Sequence, residues 1–170
     1  VQLEVILGND PAYNLFTKLG FQPTRELLVI RRPPGLPTTR QLEDSAIRPL
    51  TVHEIGTLLH ERLYEPSWIE ETTSILKAGN LKGFEVKLEN GDYGWIAFQL
   101  KAFQIEHVVM FTLSQDIEQM TRALLYTLHQ HYAKQDTKIE NLPADFPAWP
   151  IFQEKGYVEA FRRIEMLLNF

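Results

Sequence analysis

The 170-residue sequence predicts a mixed α/β (α+β) fold, a mostly antiparallel sheet flanked by helices and preceded by an extra β–α–β unit. Three observations predict it. From Ile47 onward the apolar periodicities run β–α–α–β–β–β–α–β–α–β. Near the middle, Glu89-Asn90-Gly91-Asp92 separates two apolar runs, a hairpin signal that makes those strands antiparallel. The segment Asn9-Asp10-Pro11-Ala12-Tyr13-Asn14-Leu15-Phe16-Thr17-Lys18-Leu19-Gly20-Phe21 also recurs about 136 residues later, as Asp145-Phe146-Pro147-Ala148-Trp149-Pro150-Ile151-Phe152-Gln153-Glu154-Lys155-Gly156-Tyr157. That spacing is too long for a solenoid and suits a duplicated domain.

Val1 to Leu7 alternates apolar and polar residues as a strand does. Asn9 or Asp10 can cap a short helix with Pro11 in its first turn, where a missing N–H costs nothing. Ala12, Leu15, Phe16 and Leu19 share one face of that helix, and Gly20 ends it. Glu26 to Arg32 reads as a strand apolar enough to be covered on both faces. Pro33, Pro34, Gly35 and Pro37 then mark an extended linker. The expected organisation is therefore a β–α–β unit at 1–32, a linker at 33–45 and a complete domain at 46–170.

Within that domain, Ile47 to Leu50 is a short strand, and Thr51 to Glu54 is a capping box opening a helix with Ile55, Leu58, Leu59 and Leu63 inside. Glu65-Pro66-Ser67-Trp68 breaks it, and a second helix spans roughly Glu70 to Lys77. Phe84 to Leu88, Tyr93 to Leu100 and Gln104 to Leu113 form a three-strand meander. A long amphipathic helix from Asp116 to Lys134 follows, with Ile117, Met120, Leu124, Leu125, Leu128 and Tyr132 at helical spacing. A strand at Lys138 to Leu142, the second repeat copy and a strand at Arg162 to Leu168 complete the chain.

Composition excludes several function classes. The net charge of -5 and the lack of a sizeable Lys/Arg cluster argue against nucleic acid, since Arg31, Arg32 and Arg40 are the densest basic stretch. No apolar run approaches a membrane span. Zero cysteines excludes disulfides, thiol nucleophiles and Cys-ligated metals, and suits a reducing cytoplasm. His129 and His131 stand two apart on a helix, so they diverge and cannot chelate one ion; no metal site is expected.

The element order and terminal motif resemble the GNAT superfamily of acyl-CoA-dependent N-acetyltransferases. Its last β–α–β carries a pattern close to Asn-x-x-Ala-x-x-hydrophobic-Tyr-x-x-x-Gly-Phe. Asn9, Ala12, Leu15, Phe16, Gly20 and Phe21 match it well, and Asp145, Ala148, Ile151, Phe152, Gly156 and Tyr157 match it less well. Tyr93-Gly94-Trp95-Ile96-Ala97 is similar to the family's third strand. The resemblance implies a GNAT-like fold over 46–170, with 1–32 as the tail of a truncated N-terminal GNAT domain. It implies acetyl-CoA as acyl donor, contacted by Phe111, Thr112, Leu113, Gln119, Thr121 and Asn9, and an amine acceptor of unknown identity. Glu106 and His107 are the implied proton acceptors on a central strand, while Tyr64 and Trp68 would border the substrate cleft.

Two departures accompany it. The family's pyrophosphate loop, Gln/Arg-x-x-Gly-x-Gly/Ala, corresponds here to Asp116, Ile117, Glu118, Gln119, Met120 and Thr121. Both glycines are replaced and two carboxylates stand where backbone N–H groups should close on phosphates. The family's proton-donating Tyr corresponds to Phe16 and Phe152, which have no proton to give. The expectation is an N-acetyltransferase-like protein whose domain here is degenerate in cofactor binding, the alternative being a non-catalytic binding or dimerisation module. An unpaired apolar strand at Leu27 to Ile30 recruits a partner, so residues 1–32 are expected to dock on the sheet or to form a homodimer.

Overall fold

The computed structural model describes residues 1–37, 45–62 and 65–169; Leu63, Tyr64 and positions 38–44 of the expected linker lie outside the described residues. The elements are β1 (Gln2–Ile6), α1 (Asp10–Lys18), β2 (Gln22–Arg32), β3 (Ser45–Pro49), α2 (Val52–His60), α3 (Thr72–Ala78), β4 (Leu81–Leu88), β5 (Tyr93–Leu100), β6 (Gln104–Leu113), α4 (Ile117–His131), β7 (Asp136–Pro143), α5 (Trp149–Glu154) and β8 (Val158–Leu167). A 3-10 turn, Trp68–Glu70, precedes α3 where the second helix was expected to begin. The strands form one 8-stranded sheet in the order β1-β8-β2-β7-β6-β5-β4-β3. All neighbours are antiparallel except β6 and β7.

That order interlocks the two repeat copies. β8 lies between β1 and β2, and β2 lies between β7 and β8. Each copy's short helix carries the chain over a gap one strand wide, and the other copy's last strand fills the gap. β2 is therefore an interior strand, and Leu27, Leu28, Val29 and Ile30 are all 0% exposed. Both of its flanks are paired, so its backbone groups are satisfied without a second copy of the chain.

Period-two alternation on β5 sorts the core into two layers. Ile96 and Phe98 join Met120, Leu124 and Leu128 of α4 and Phe152 of α5 on one face. Trp95 and Ala97 pack with Ile55 and Leu59 of α2 and Ile75 of α3 on the other. The capping box at the start of α2 forms as the sequence indicates, with Thr51 and Glu54 exchanging bonds. Gly94 is required by close approach: a Cβ there would stand 2.8 Å from Met120 Sδ and 3.0 Å from the Phe111 carbonyl oxygen. Gly94→Ala must displace the buried Met120 side chain and is expected to destabilise by about 1–3 kcal/mol in urea unfolding.

The expected inner face of α1 is corrected by the structure. Leu15 and Leu19 are 55% and 59% exposed, and no residue of α1 is buried. Only Ala12, Tyr13 and Phe16 reach the small cluster of Val5, Phe21 and Met166. α5, its counterpart, packs on α4, whereas α1 packs on residues of β1 and β8 in that small cluster.

Candidate functional site

The sheet opens between β6 and β7. β6 and β7 run parallel and pair only at Gln104 with Asp136 and Ile105 with Thr137. Just beyond, both strands are irregular. β6 shifts register against β5 across Glu106 to Val109, with His107 at φ 49°. β7 shifts against β2 between its partners Ile139 and Leu142, with Asn141 at φ 65°. Two facing bulges, each turning on a left-handed residue, bend the strands apart and re-aim their side chains. On β6 the bulge moves the α4-facing set from Ile105 to Val108, where strict alternation would have used His107.

A cavity of about 240 Å³ fills the opening, lined by Val108, Val109, Met110, Ile139, Leu142, Phe146 and Phe152 with Arg25, Glu70 and Asn141 as its polar groups. A second, of about 180 Å³, is lined by Glu70, Glu106, His107, Lys138 and Glu140. Glu70 lines both. The 3-10 turn brings it there from the α2/α3 side, and its backbone carbonyl accepts from Arg62 Nη2 at 2.8 Å.

Polar wiring fixes the walls. Arg25 of β2 makes a two-pronged ion pair with Glu165, at 2.8 and 2.9 Å. Arg163 bridges Glu4 at 3.0 Å and Glu140 at 2.9 Å. Asn141 Nδ2 donates to Glu4 Oε1 at 2.7 Å and to Ser67 Oγ at 2.6 Å. Glu4 belongs to β1 and Arg25 to β2, so residues 1–32 and 46–170 build this site together. Glu106 is paired with Lys101, and Glu140 also with Lys138. The carboxylate of Glu70 has no hydrogen-bond or ion-pair partner among the described residues. Half-buried by exposed surface but densely enclosed by protein atoms, it is pushed up to about 8 by burial; Arg62 and Arg25 oppose the shift, Glu4 and Glu140 reinforce it.

Of the sequence-expected residues, Glu106 and His107 sit on the β6 bulge and line the second cavity. Trp68 is 51% exposed and lines a separate open groove with Gln2, Leu3, Glu4, Ile69 and Arg163. Tyr64 lies outside the described residues. Asn9 caps α1, accepting from Ala12 N–H at 3.3 Å, and lines neither cavity. Phe111 stacks on Trp95 on the α2/α3 face, while Thr112 and Leu113 end β6, Leu113 being 65% exposed. Arg25, Glu70, Glu140 and Asn141 escaped the sequence reading. The nearest signal was the Glu65 to Trp68 breaker, two residues short of Glu70.

The expected phosphate loop does not exist as a loop. Asp116 is the N-cap of α4, and its side chain already accepts the Gln119 N–H at 2.9 Å. Thr121, expected to contact the cofactor, is wholly buried inside the helix packing, its hydroxyl unpartnered among the described residues. Asp92, from the β4–β5 hairpin, hydrogen-bonds Ser114 beside Asp116, so three carboxylates with Glu118 crowd this helix start. These residues do not fit a pyrophosphate: the Gln119 N–H is already capped and the local charge is negative.

No family model matches the sequence, and no curated protein does. Solved structures do match. A GCN5-related N-acetyltransferase from Sphaerobacter thermophilus aligns at TM-score 0.64 and 18% identity, over 98% of this chain and 58% of that one. One from Kribbella flavida aligns at TM-score 0.65 and 12% identity, over 97% and 66%. An acetyltransferase of the GNAT family from Colwellia psychrerythraea aligns at TM-score 0.54 and 12% identity, over 97% and 63%. The fold is thus that of GNAT acetyltransferases, and the chain spans about three fifths of the length of these neighbours. Among the described residues no helix is long and apolar enough to cross a membrane.

Proposed function

We propose that this chain is part of a GNAT-type protein transferring an acetyl group to an amine, in which this domain has lost the grip on acetyl-CoA and shapes the acceptor side. The capped, carboxylate-ringed start of α4 carries the reading. It is supported by the fold of the structural neighbours and by the opening between β6 and β7, where the sheet presents enclosed polar groups beside an apolar slot. Phe152 on that slot has no proton to give a departing thiolate, in keeping with a domain that does not complete the transfer alone. Calorimetric titration with acetyl-CoA is expected to show no saturable binding up to millimolar concentration. Micromolar affinity would overturn the reading of Asp116 to Thr121.

The second reading is a non-catalytic binding or dimerisation module. Val1, Ile6, Leu7, Leu15 and Leu19, all exposed on or next to β1 and α1, favour it. Light scattering separates the two, since a dimer broken by Leu15→Glu with Leu19→Glu supports the module.

A further inference from the structure

Glu70 is an unusual group for a cavity wall. Every other carboxylate lining the two cavities between β6 and β7 has a cationic partner: Glu106 has Lys101, and Glu140 has Lys138 and Arg163. The cations that face Glu70 are committed elsewhere. Arg25 grips Glu165 with both of its prongs. Arg62 donates to the Leu59 and Glu70 carbonyls and to Thr72. Glu4, facing from β1, is held by Asn141 and Arg163. His107 on β6 and Lys138 on β7 complete the charged or titratable surroundings. An enclosed carboxylate without a direct ion-pair partner is costly to ionise, and a cation brought by a ligand offsets that cost.

The slot leading to it is apolar. Val109, Met110, Ile139, Leu142, Phe146 and Phe152 supply its walls, and its volume of about 240 Å³ is below that of drug-sized sites. We propose that this cavity binds a small primary amine with an apolar body, its ammonium group held by Glu70. This rests on the acceptor-side reading above and adds the group that recognises the acceptor.

The chemistry has a proton balance. Before an amine binds, burial holds Glu70 protonated up to about pH 8. Binding then follows Glu70–COOH plus R–NH₃⁺ giving the Glu70 carboxylate–ammonium pair plus one proton released to solvent. Affinity must rise as pH approaches 8 and level off above it, because the carboxyl no longer has a proton to give up.

The test is titration of the whole chain with 2-phenylethylamine, with 2-phenylethanol as the neutral analogue, in two buffers of different ionisation enthalpy. The expected result is saturable amine binding with close to one proton released per amine at pH 7, and affinity tens-fold tighter at pH 8 than at pH 6. Glu70→Gln is expected to abolish proton release and weaken binding by tens-fold, while Glu70→Asp retains the proton release. Amine binding unchanged in Glu70→Gln, equal binding of amine and alcohol, or no saturable amine binding would each overturn the proposal. A stability readout stands apart from binding. A raised carboxyl favours the native state only while protonated, so its contribution is lost as pH rises from the ordinary value towards 8. Glu70→Gln should therefore melt higher than wild type at pH 8 and no higher at pH 4. Acetyl-CoA binding, if found, would sink the reading of α4 and leave the Glu70 result standing.

Discussion

Removal of residues 1–32 is expected to abolish cooperative folding of residues 33–170. β2 is interior to the sheet, between β7 and β8, and Leu27, Leu28, Val29 and Ile30 are 0% exposed. Full burial of four such side chains is worth about 6–12 kcal/mol, at about 1.5–3 kcal/mol each. A domain of this kind has a net stability of only about 5–15 kcal/mol, so the loss consumes most of it. The deletion also bares both flanks of β8 and one of β7, and removes the Arg25–Glu165 ion pair. Far-UV circular dichroism with urea titration measures this. A sharp transition in the truncated chain, with wild-type m-value, would refute the integral role of β2. Leu28→Ala in the intact chain is the graded version, with an expected cost of about 2–5 kcal/mol.

Acidification is expected to weaken the fold through His129. Its ring is 0% exposed, its Nε2 meets the Tyr157 hydroxyl at 3.0 Å, and its Nδ1 has no hydrogen-bond partner among the described residues. Burial, then the nearby Arg32 and Lys155 cations, hold it down to about 3 from the ordinary 6.5. Below the ordinary value the unfolded chain takes up a proton that the native ring refuses, so stability falls as pH drops from 6.5 towards 3. The slope is about 1.4 kcal/mol per pH unit. Glu70 acts in the opposite direction between 4.5 and 8, because its carboxyl is raised. His129→Phe isolates the histidine: the variant is less stable near neutrality, where Tyr157 loses its partner. The gap to wild type should then close by about 1.4 kcal/mol per unit of acidification. A gap independent of pH would show that His129 does not carry the effect.

Much of this architecture was readable from local signals. The capping box at Thr51 and Glu54, the Asn9 cap and the Asn90-Gly91 hairpin are decided within a few residues, and each forms where the chemistry places it. The four-residue apolar run Leu27 to Ile30 announced a strand covered on both faces, and it is. Boundaries slipped by a turn or less where tertiary context overrode propensity. α4 stops at His131 rather than Lys134, and the expected Glu70 helix start became a 3-10 turn.

The site was far less legible. Glu70 has nothing in its sequence surroundings to distinguish it from the other acidic residues. It is singled out by two bulges, at His107 and Asn141, that part strands whose paired starts are about thirty residues apart in sequence. Likewise His129 read as one of two diverging helix histidines, and only the packing of Tyr157, Arg32 and Lys155 around it makes it a buried neutral ring.

The sequence alone determined the element order, the repeated segment and the lack of glycine at 116–121, because periodicity, repeats and the presence of Asp116, Gln119 and Thr121 are local properties of the chain. Tertiary structure alone decided that the two copies exchange their last strands and that Glu4, Arg25, Glu70 and Asn141 meet at one opening. The reason is physical. Local preferences act over a turn or a hairpin, whereas the pairing of β2 with β8 joins residues more than a hundred positions apart, and which edge an apolar strand fills is settled by the burial of the whole sheet.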